Sequence, residues 1–265
     1  MRLCSIASGS SGNCIYTGSE NTHLLVDAGI SAKKVEEGLK KLQLEGKDID
    51  GLLITHEHSD HIQGVGVLAR RYGFPIYATG GTIARMKASK SLGAVDAGLY
   101  HVIRADQRFM IKDVEVEPFS ISHDAAEPVA YRFSCRGRSA AVATDMGVYT
   151  DYIVEHLKEL DVLLLEANHD IRMLQVGPYP YPLKQRIMGE CGHLSNESAG
   201  QLLCRILHDQ MKQIYLGHLS KENNYAELAY ETVKLEIELG PVKYKGGDFD
   251  IQVARRDCCS GVCEW

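Results

Sequence analysis

The chain has 265 residues, 45% of them hydrophobic and 24% charged, with a formal net charge of −6. This ordinary globular composition excludes disorder, collagen and coiled coil as global descriptions. No apolar run approaches the roughly 20 residues of a membrane span, and Met1-Arg2-Leu3-Cys4-Ser5 lacks the apolar stretch of a secretory leader. A soluble, cytoplasmic protein is expected. Net acidity argues against a generally basic nucleic-acid binder. It does not argue against a nucleic-acid enzyme, because bound cations reset the local field.

A short first strand leads into the small-residue run Ser8 to Cys14, and a second strand covers Leu24 to Val26. Val35, Leu39 and Leu42 recur at helical spacing behind a Ser31 cap. Gly51 to Thr55 reads as a strand, followed by a helix from about His61 to Tyr72 that Gly73 and Pro75 stop. Strands are predicted at Pro75–Ala78, Val114–Ser122, Val129–Ser134, Ser139–Thr144 and Val162–Leu165. Gly177 to Gly192, with three prolines, reads as an ordered surface loop. A helix runs from Ser195 to about His208, then a strand at Gln213–Leu216. A further helix begins near Asn224, with Glu227 as capping-box partner, and ends at Gly240-Pro241. The last strand is Phe249–Val253. Five of the eight cysteines are scattered and read as small buried hydrophobes, while Cys258, Cys259 and Cys263 cluster in an expected flexible tail of about 256–265. Strands and helices mix in both halves, which suits two sheets between outer helices in a single domain spanning 1–265. The pattern alone does not choose the topology.

The chemistry concentrates in Thr55-His56-Glu57-His58-Ser59-Asp60-His61, which follows the apolar run Gly51 to Ile54. A loop at a strand's end can turn His56, His58, Asp60 and His61 toward one point, and imidazole and carboxylate suit zinc and similar ions. Four donors so close together are too many for one catalytic ion that keeps an open position. They point to two ions, with His56 and His58 on one and Asp60 and His61 on the other. Further donors stand where apolar strands end: His123, Asp145 and His218.

This pattern, His-x-His-x-Asp-His at 56–61, then His123, then Asp145 in Thr144-Asp145-Met146-Gly147, then His218, resembles the metallo-β-lactamase superfamily. The resemblance spans nearly the whole chain in order. It implies a four-layered αβ/βα sandwich with two divalent metal ions, zinc or manganese, at one edge. His56, His58 and His123 are then expected on the first ion, and Asp60, His61 and His218 on the second, with Asp145 bridging. Oxygen-reducing diiron relatives carry Glu where this chain has His58, so hydrolysis is expected. The implied mechanism is attack by a hydroxide shared between the ions, with Asp60 helping to orient it.

Fold does not settle substrate in such a superfamily. The opening Ser8-Gly9-Ser10-Ser11-Gly12-Asn13-Cys14 looks like that of the YycJ/WalJ-like branch, which implies 5′-to-3′ exonuclease action on single- or double-stranded DNA. Glu166-Ala167-Asn168-His169-Asp170 and Gly192-His193-Leu194-Ser195-Asn196 are similar to segments of ribonuclease Z-like phosphodiesterases. They make His169 and His193 candidate catalytic residues for protonating a leaving oxygen or touching a phosphate. The interval between Asp145 and His218 is too short for the large extra domain of ribonuclease J-type enzymes. Tyr179, Tyr181, Lys184 and Arg186 are candidates for stacking on bases and meeting phosphates. Two rivals stand beside a DNA exonuclease: a small-molecule hydrolase acting on a thioester, lactone or cyclic phosphodiester, and a catalytically idle metal-binding regulator.

Overall fold

The computed structural model describes residues 1–265. The first half contributes β1 (Arg2–Ala7), β2 (Cys14–Gly18), β3 (His23–Val26), α1 (Ala32–Lys41), β4 (Gly51–Leu53), α2 (Ser59–Ile62), α3 (Val65–Tyr72), β5 (Ile76–Thr79), α4 (Gly80–Ala88) and β6 (Tyr100–Ile103). The second half adds β7 (Phe109–Ile111), β8 (Val114–Ser120), β9 (Val129–Cys135), β10 (Arg138–Ala143), α5 (Asp151–Leu157), β11 (Val162–Glu166), α6 (Ile171–Val176) and α7 (Tyr181–Met188). It ends with α8 (Asn196–Ile206), β12 (Gln213–Gly217), α9 (Ala226–Leu239), β13 (Ile251–Val253) and β14 (Cys263–Glu264).

The strands form two sheets, ordered β14-β1-β2-β3-β4-β5-β6 and β13-β12-β11-β10-β9-β8-β7. Each sheet is antiparallel on one side and parallel on the other. The run β3-β4-β5-β6 is parallel in the first, and β10-β11-β12-β13 in the second. Alternation along the strands sorts the side chains into three cores. Leu24, Val26, Tyr131, Phe133 and Leu164 fill the space between the sheets. Val35, Leu39 and Leu68 bind the first helices to the outside of one sheet, and Leu157, Leu203 and Val233 bind the later helices to the other. The result is the four-layered αβ/βα sandwich. No helix is long and apolar enough to cross a membrane.

Several local expectations are corrected. The helix expected over 61–72 is two, α2 and α3, because Gly64 lies against the backbone of residues 28–30. Its N–H donates to the Ala28 carbonyl at 2.7 Å, and a Cβ there would sit 2.3 Å from the Ile30 oxygen. The proline-rich loop contains α7. Pro180 and Pro182 stand at its start, where a missing N–H costs nothing. The last long helix has Tyr225 at its N-cap position with no side-chain cap, while the Asn224 amide nitrogen is spent on the Ala167 and Asn168 carbonyls, so Glu227 forms no capping box. Residues 256–265, expected as a free tail, run back to β1. Ser260 N–H donates to the Ser5 carbonyl, Leu3 pairs with Cys263, and the N-terminal ammonium meets the Trp265 carbonyl.

Candidate metal centre

Open sheets present their sites beyond the carboxyl ends of parallel strands. Here β4, β10 and β12 deliver His56, Asp145 and His218, and β8 delivers His123. Asp27, Asp145 and His218 each turn the chain at φ near +60°, a left-handed conformation that is uncommon outside glycine and clusters at functional sites. Helix α2, which carries Asp60, is pressed close to Gly29. A Cβ on Gly29 would lie 1.6 Å from the Asp60 carbonyl oxygen, and that oxygen accepts Asn13 N–H at 2.8 Å.

All seven expected donors come together. His56, His58 and His123 form one cluster and Asp60, His61 and His218 another. Asp145 joins His56 and His61 between them, with the donor atoms in each cluster within 4.8 Å of one another. The rear nitrogens fix which atom each ring presents. His56 Nδ1 faces Thr55 Oγ1 at 3.0 Å, and His123 Nδ1 faces the Gly192 carbonyl at 3.2 Å. His61 Nδ1 meets Asp27 Oδ2, and His218 Nδ1 meets Glu166 Oε1, each at 2.8 Å. The four Nε2 atoms are turned toward the centre, that of His61 also lying 3.2 Å from Asn13 Nδ2, and the backing of the rear nitrogens is the arrangement usual behind metal-ligating imidazoles. His58 contributes Nδ1, 3.1 Å from His56 Nε2 and 3.2 Å from His123 Nε2.

A pair of cations suits this set. Asp145 is buried, and its Oδ2 makes no hydrogen bond, although His61 Nε2 stands 3.3 Å away. Nitrogen acceptors facing one another, and buried carboxylates beside them, are costly without a compensating positive charge. Burial holds His56 well below the usual imidazole range, reinforced by the neighbouring His61, His123 and His58. Burial works the same way on His61, but Asp145, Asp27 and Asp60 outweigh it and raise that ring well above its ordinary value. His218 is likewise pushed up to about 10, as Asp145, Asp60 and Glu166 override burial. Burial would raise Glu166, yet His193 and His218 hold it low.

The cleft over the donors is polar, about 350 Å³, and includes Ser10, Tyr179, Arg186 and His193. His193 Nδ1 lies 2.8 Å from Glu166 Oε1, leaving its Nε2 without a protein partner. His169 is brought near by a backbone bridge to Ser195, but it is 2% exposed and does not line the cleft. Its Nδ1 has no hydrogen-bond partner, and burial lowers its pKa to about 4. Arg186 pairs with Asp124 at the rim. Tyr181 and Lys184 lie off the cleft, Lys184 donating to the Gln175 carbonyl.

Sequence reasoning missed Asp27, the orienting role of Glu166, and Asn13, whose Nδ2 reaches the Asp60 carbonyl at 3.4 Å and His61 Nε2 at 3.2 Å. Asp27 ends an apolar strand as Asp145 does, so the rule that found Asp145 would have found it.

Residues 22–218 match the model of the beta-lactamase superfamily domain. The chain is 46% identical over 259 residues to the exodeoxyribonuclease WalJ of Streptococcus pneumoniae serotype 2, covering 98% of this chain and 96% of that one. It is 42% identical over 241 residues to the exodeoxyribonuclease YycJ of Bacillus anthracis, covering 88% of each. In fold it superposes on Zn2+-bound PqqB from Methylobacterium extorquens with a TM-score of 0.72 at 16% identity, over 98% of this chain and 100% of that one. The chain therefore belongs to the metallo-β-lactamase superfamily, as a YycJ/WalJ-like member.

Proposed function

We propose that the protein is a phosphodiesterase that holds two divalent cations and degrades DNA as an exonuclease in the 5′-to-3′ direction. The observation that carries this reading is the convergence of five imidazoles with Asp60 and Asp145 into two donor clusters, in a chain so close to proteins named exodeoxyribonucleases. His56, His58 and His123 would hold one ion, and Asp60, His61 and His218 the other, with Asp145 shared. The donors favour zinc, with manganese as second choice. When bound, the ions supply an activated water at neutral pH and neutralise charge on the phosphoryl group.

The remaining steps fall to the chain's own groups. Asp27 and Glu166 fix the orientation of His61 and His218. Asp60, in the cleft beside His61 and His218, has a carboxylate oxygen to orient the attacking water. His193, its Nδ1–H donated to Glu166, delivers a proton from Nε2 to the leaving oxygen, and Glu166 stabilises the charged ring before transfer. His169, buried beside Glu166 and His193, takes a supporting place and not the proton. The polar lining of the cleft does not suit the closed apolar pocket that the small-molecule reading needs.

The test offers 5′- and 3′-labelled DNA, labelled RNA and a chromogenic phosphodiester to protein loaded with zinc or with manganese. Stepwise release of nucleotides from the 5′ end of DNA is expected. Turnover of the chromogenic ester alone would overturn the exonuclease reading.

A further inference from the structure

We propose that a second cavity, beside the metal cleft, is the track for single-stranded DNA continuing beyond the scissile phosphate, with Lys221 and Arg255 meeting its phosphates and Tyr225 stacking on a base. This proposal rests on the nuclease reading above. The cavity measures about 440 Å³ and lies against Leu219 and Ser220, the residues that directly follow the metal-donor candidate His218. A thin wall separates it from the cleft. Ser8 lines the cavity, and its hydroxyl accepts His218 N–H at 2.9 Å. Ser10, two residues on, lines the cleft, and its N–H donates to the Leu219 carbonyl.

Arg256 crosses this wall. One guanidinium nitrogen donates to the Leu219 carbonyl at 2.6 Å, and the other reaches Ser11 Oγ at 3.3 Å and Ser10 Oγ at 3.5 Å. Gly9 leaves room for it, since a Cβ there would sit 2.7 Å from Arg256 Nη1. A polyanion leaving the cleft over Ser10 therefore meets a fixed guanidinium before entering the cavity.

The lining beyond has the chemistry of a single-strand site. Lys221 and Arg255 join Arg256 there, and none of the three forms an ion pair with a carboxylate. Asp257, the acid in the lining, is turned to Lys34 at 3.7 Å. Two cations free of carboxylate partners, beside the fixed guanidinium of Arg256, stand out on a chain of net charge −6. Tyr225, just before α9, lines the cavity and is 53% exposed, with no aromatic ring of the chain stacked on it. Cations that follow a backbone, with an aromatic face beside them, bind single strands without reading sequence. The C-terminal segment builds this wall because it is tied to β1, which gives the return of residues 254–262 a role.

The test measures binding of a 3′-fluorescein phosphorothioate oligodeoxythymidylate by anisotropy across a salt series, with melting temperature as the check on folding. Lys221→Ala/Arg255→Ala is expected to weaken binding at least tenfold and to flatten the log–log salt slope by about 1.4, for two lost phosphate contacts. Lys221→Arg/Arg255→Lys should restore both. Tyr225→Ala should weaken binding about tenfold and Tyr225→Phe should not. Variants that bind with wild-type affinity and slope, while the wild type degrades DNA, would overturn the track alone. A wild type that hydrolyses bis(p-nitrophenyl) phosphate yet binds no oligonucleotide would overturn the track and the nuclease reading together.

Discussion

The two halves of the donor set are backed differently. His56 and His123 lean on neutral acceptors, the Thr55 hydroxyl and the Gly192 carbonyl, and His58 is half-buried, facing Asp124 at the rim. His61 and His218 lean on the buried carboxylates of Asp27 and Glu166. A carboxylate behind an imidazole makes it a more basic ligand and locks its tautomer. The side holding Asp60, His61 and His218 is therefore the more anionic and more rigid, and it should keep its ion when the other half has lost its own. Asp145 belongs to neither half alone, which makes it the one residue whose loss touches both.

Replacing that shared residue should have the largest effect. Asp145→Asn keeps a side chain that tolerates the left-handed backbone at φ 62° while halving the charge-bearing donors. Activity should fall by more than about 100-fold, and bound metal should drop below two per chain, as read by elemental analysis. Near-wild-type activity would remove Asp145 from the centre.

Glu166→Gln and Asp27→Asn sharpen the contrast at the next level. Each should cost about 10- to 100-fold in metal affinity, with the half holding Asp60, His61 and His218 emptied first in a chelator titration. Loss of the other half first would contradict the asymmetry. Thr55→Val removes the neutral acceptor behind His56, one hydrogen bond to Asp27 at 2.8 Å and a longer 3.3 Å contact with His61 Nδ1, and leaves both buried carboxylates in place. Its effect on metal affinity should stay under about tenfold.

A carboxylate far from the centre gives the smallest effect. Asp113 accepts Thr22 Oγ1 at 2.5 Å and Ser19 Oγ at 2.7 Å, which hold its pKa down at about 2. Its folded pKa lies below the unfolded value near 3.8, so its contribution is complete above that value and fades as pH falls toward 2. Asp113→Asn should lower the melting temperature by a few degrees at neutral pH, with a difference from wild type that shrinks as pH drops through this window.

What the sequence made readable follows from range. His56, His58, Asp60 and His61 announce themselves because four donors fall within six consecutive positions, and His123, Asp145 and His218 because each follows an apolar strand. The carboxylates behind the rings were harder to see. Asp27 meets His61 from 34 residues away, and Glu166 meets His218 from 52, through contacts that only the assembled sheets create. The two-residue β14 carries no pattern of its own and exists because β1 offers it an edge. Helix α7 was hidden by its prolines, which read as loop signals but sit where a helix begins. The sandwich itself was expected from resemblance, since alternating strands and helices alone do not choose its topology.

Two donor clusters that share Asp145 should hold a pair of cations. Anomalous diffraction from metal-loaded crystals would locate them. Two peaks per chain are predicted, one among His56, His58 and His123 and one among Asp60, His61 and His218, with Asp145 touching both. A single peak, or peaks away from these side chains, would contradict this arrangement.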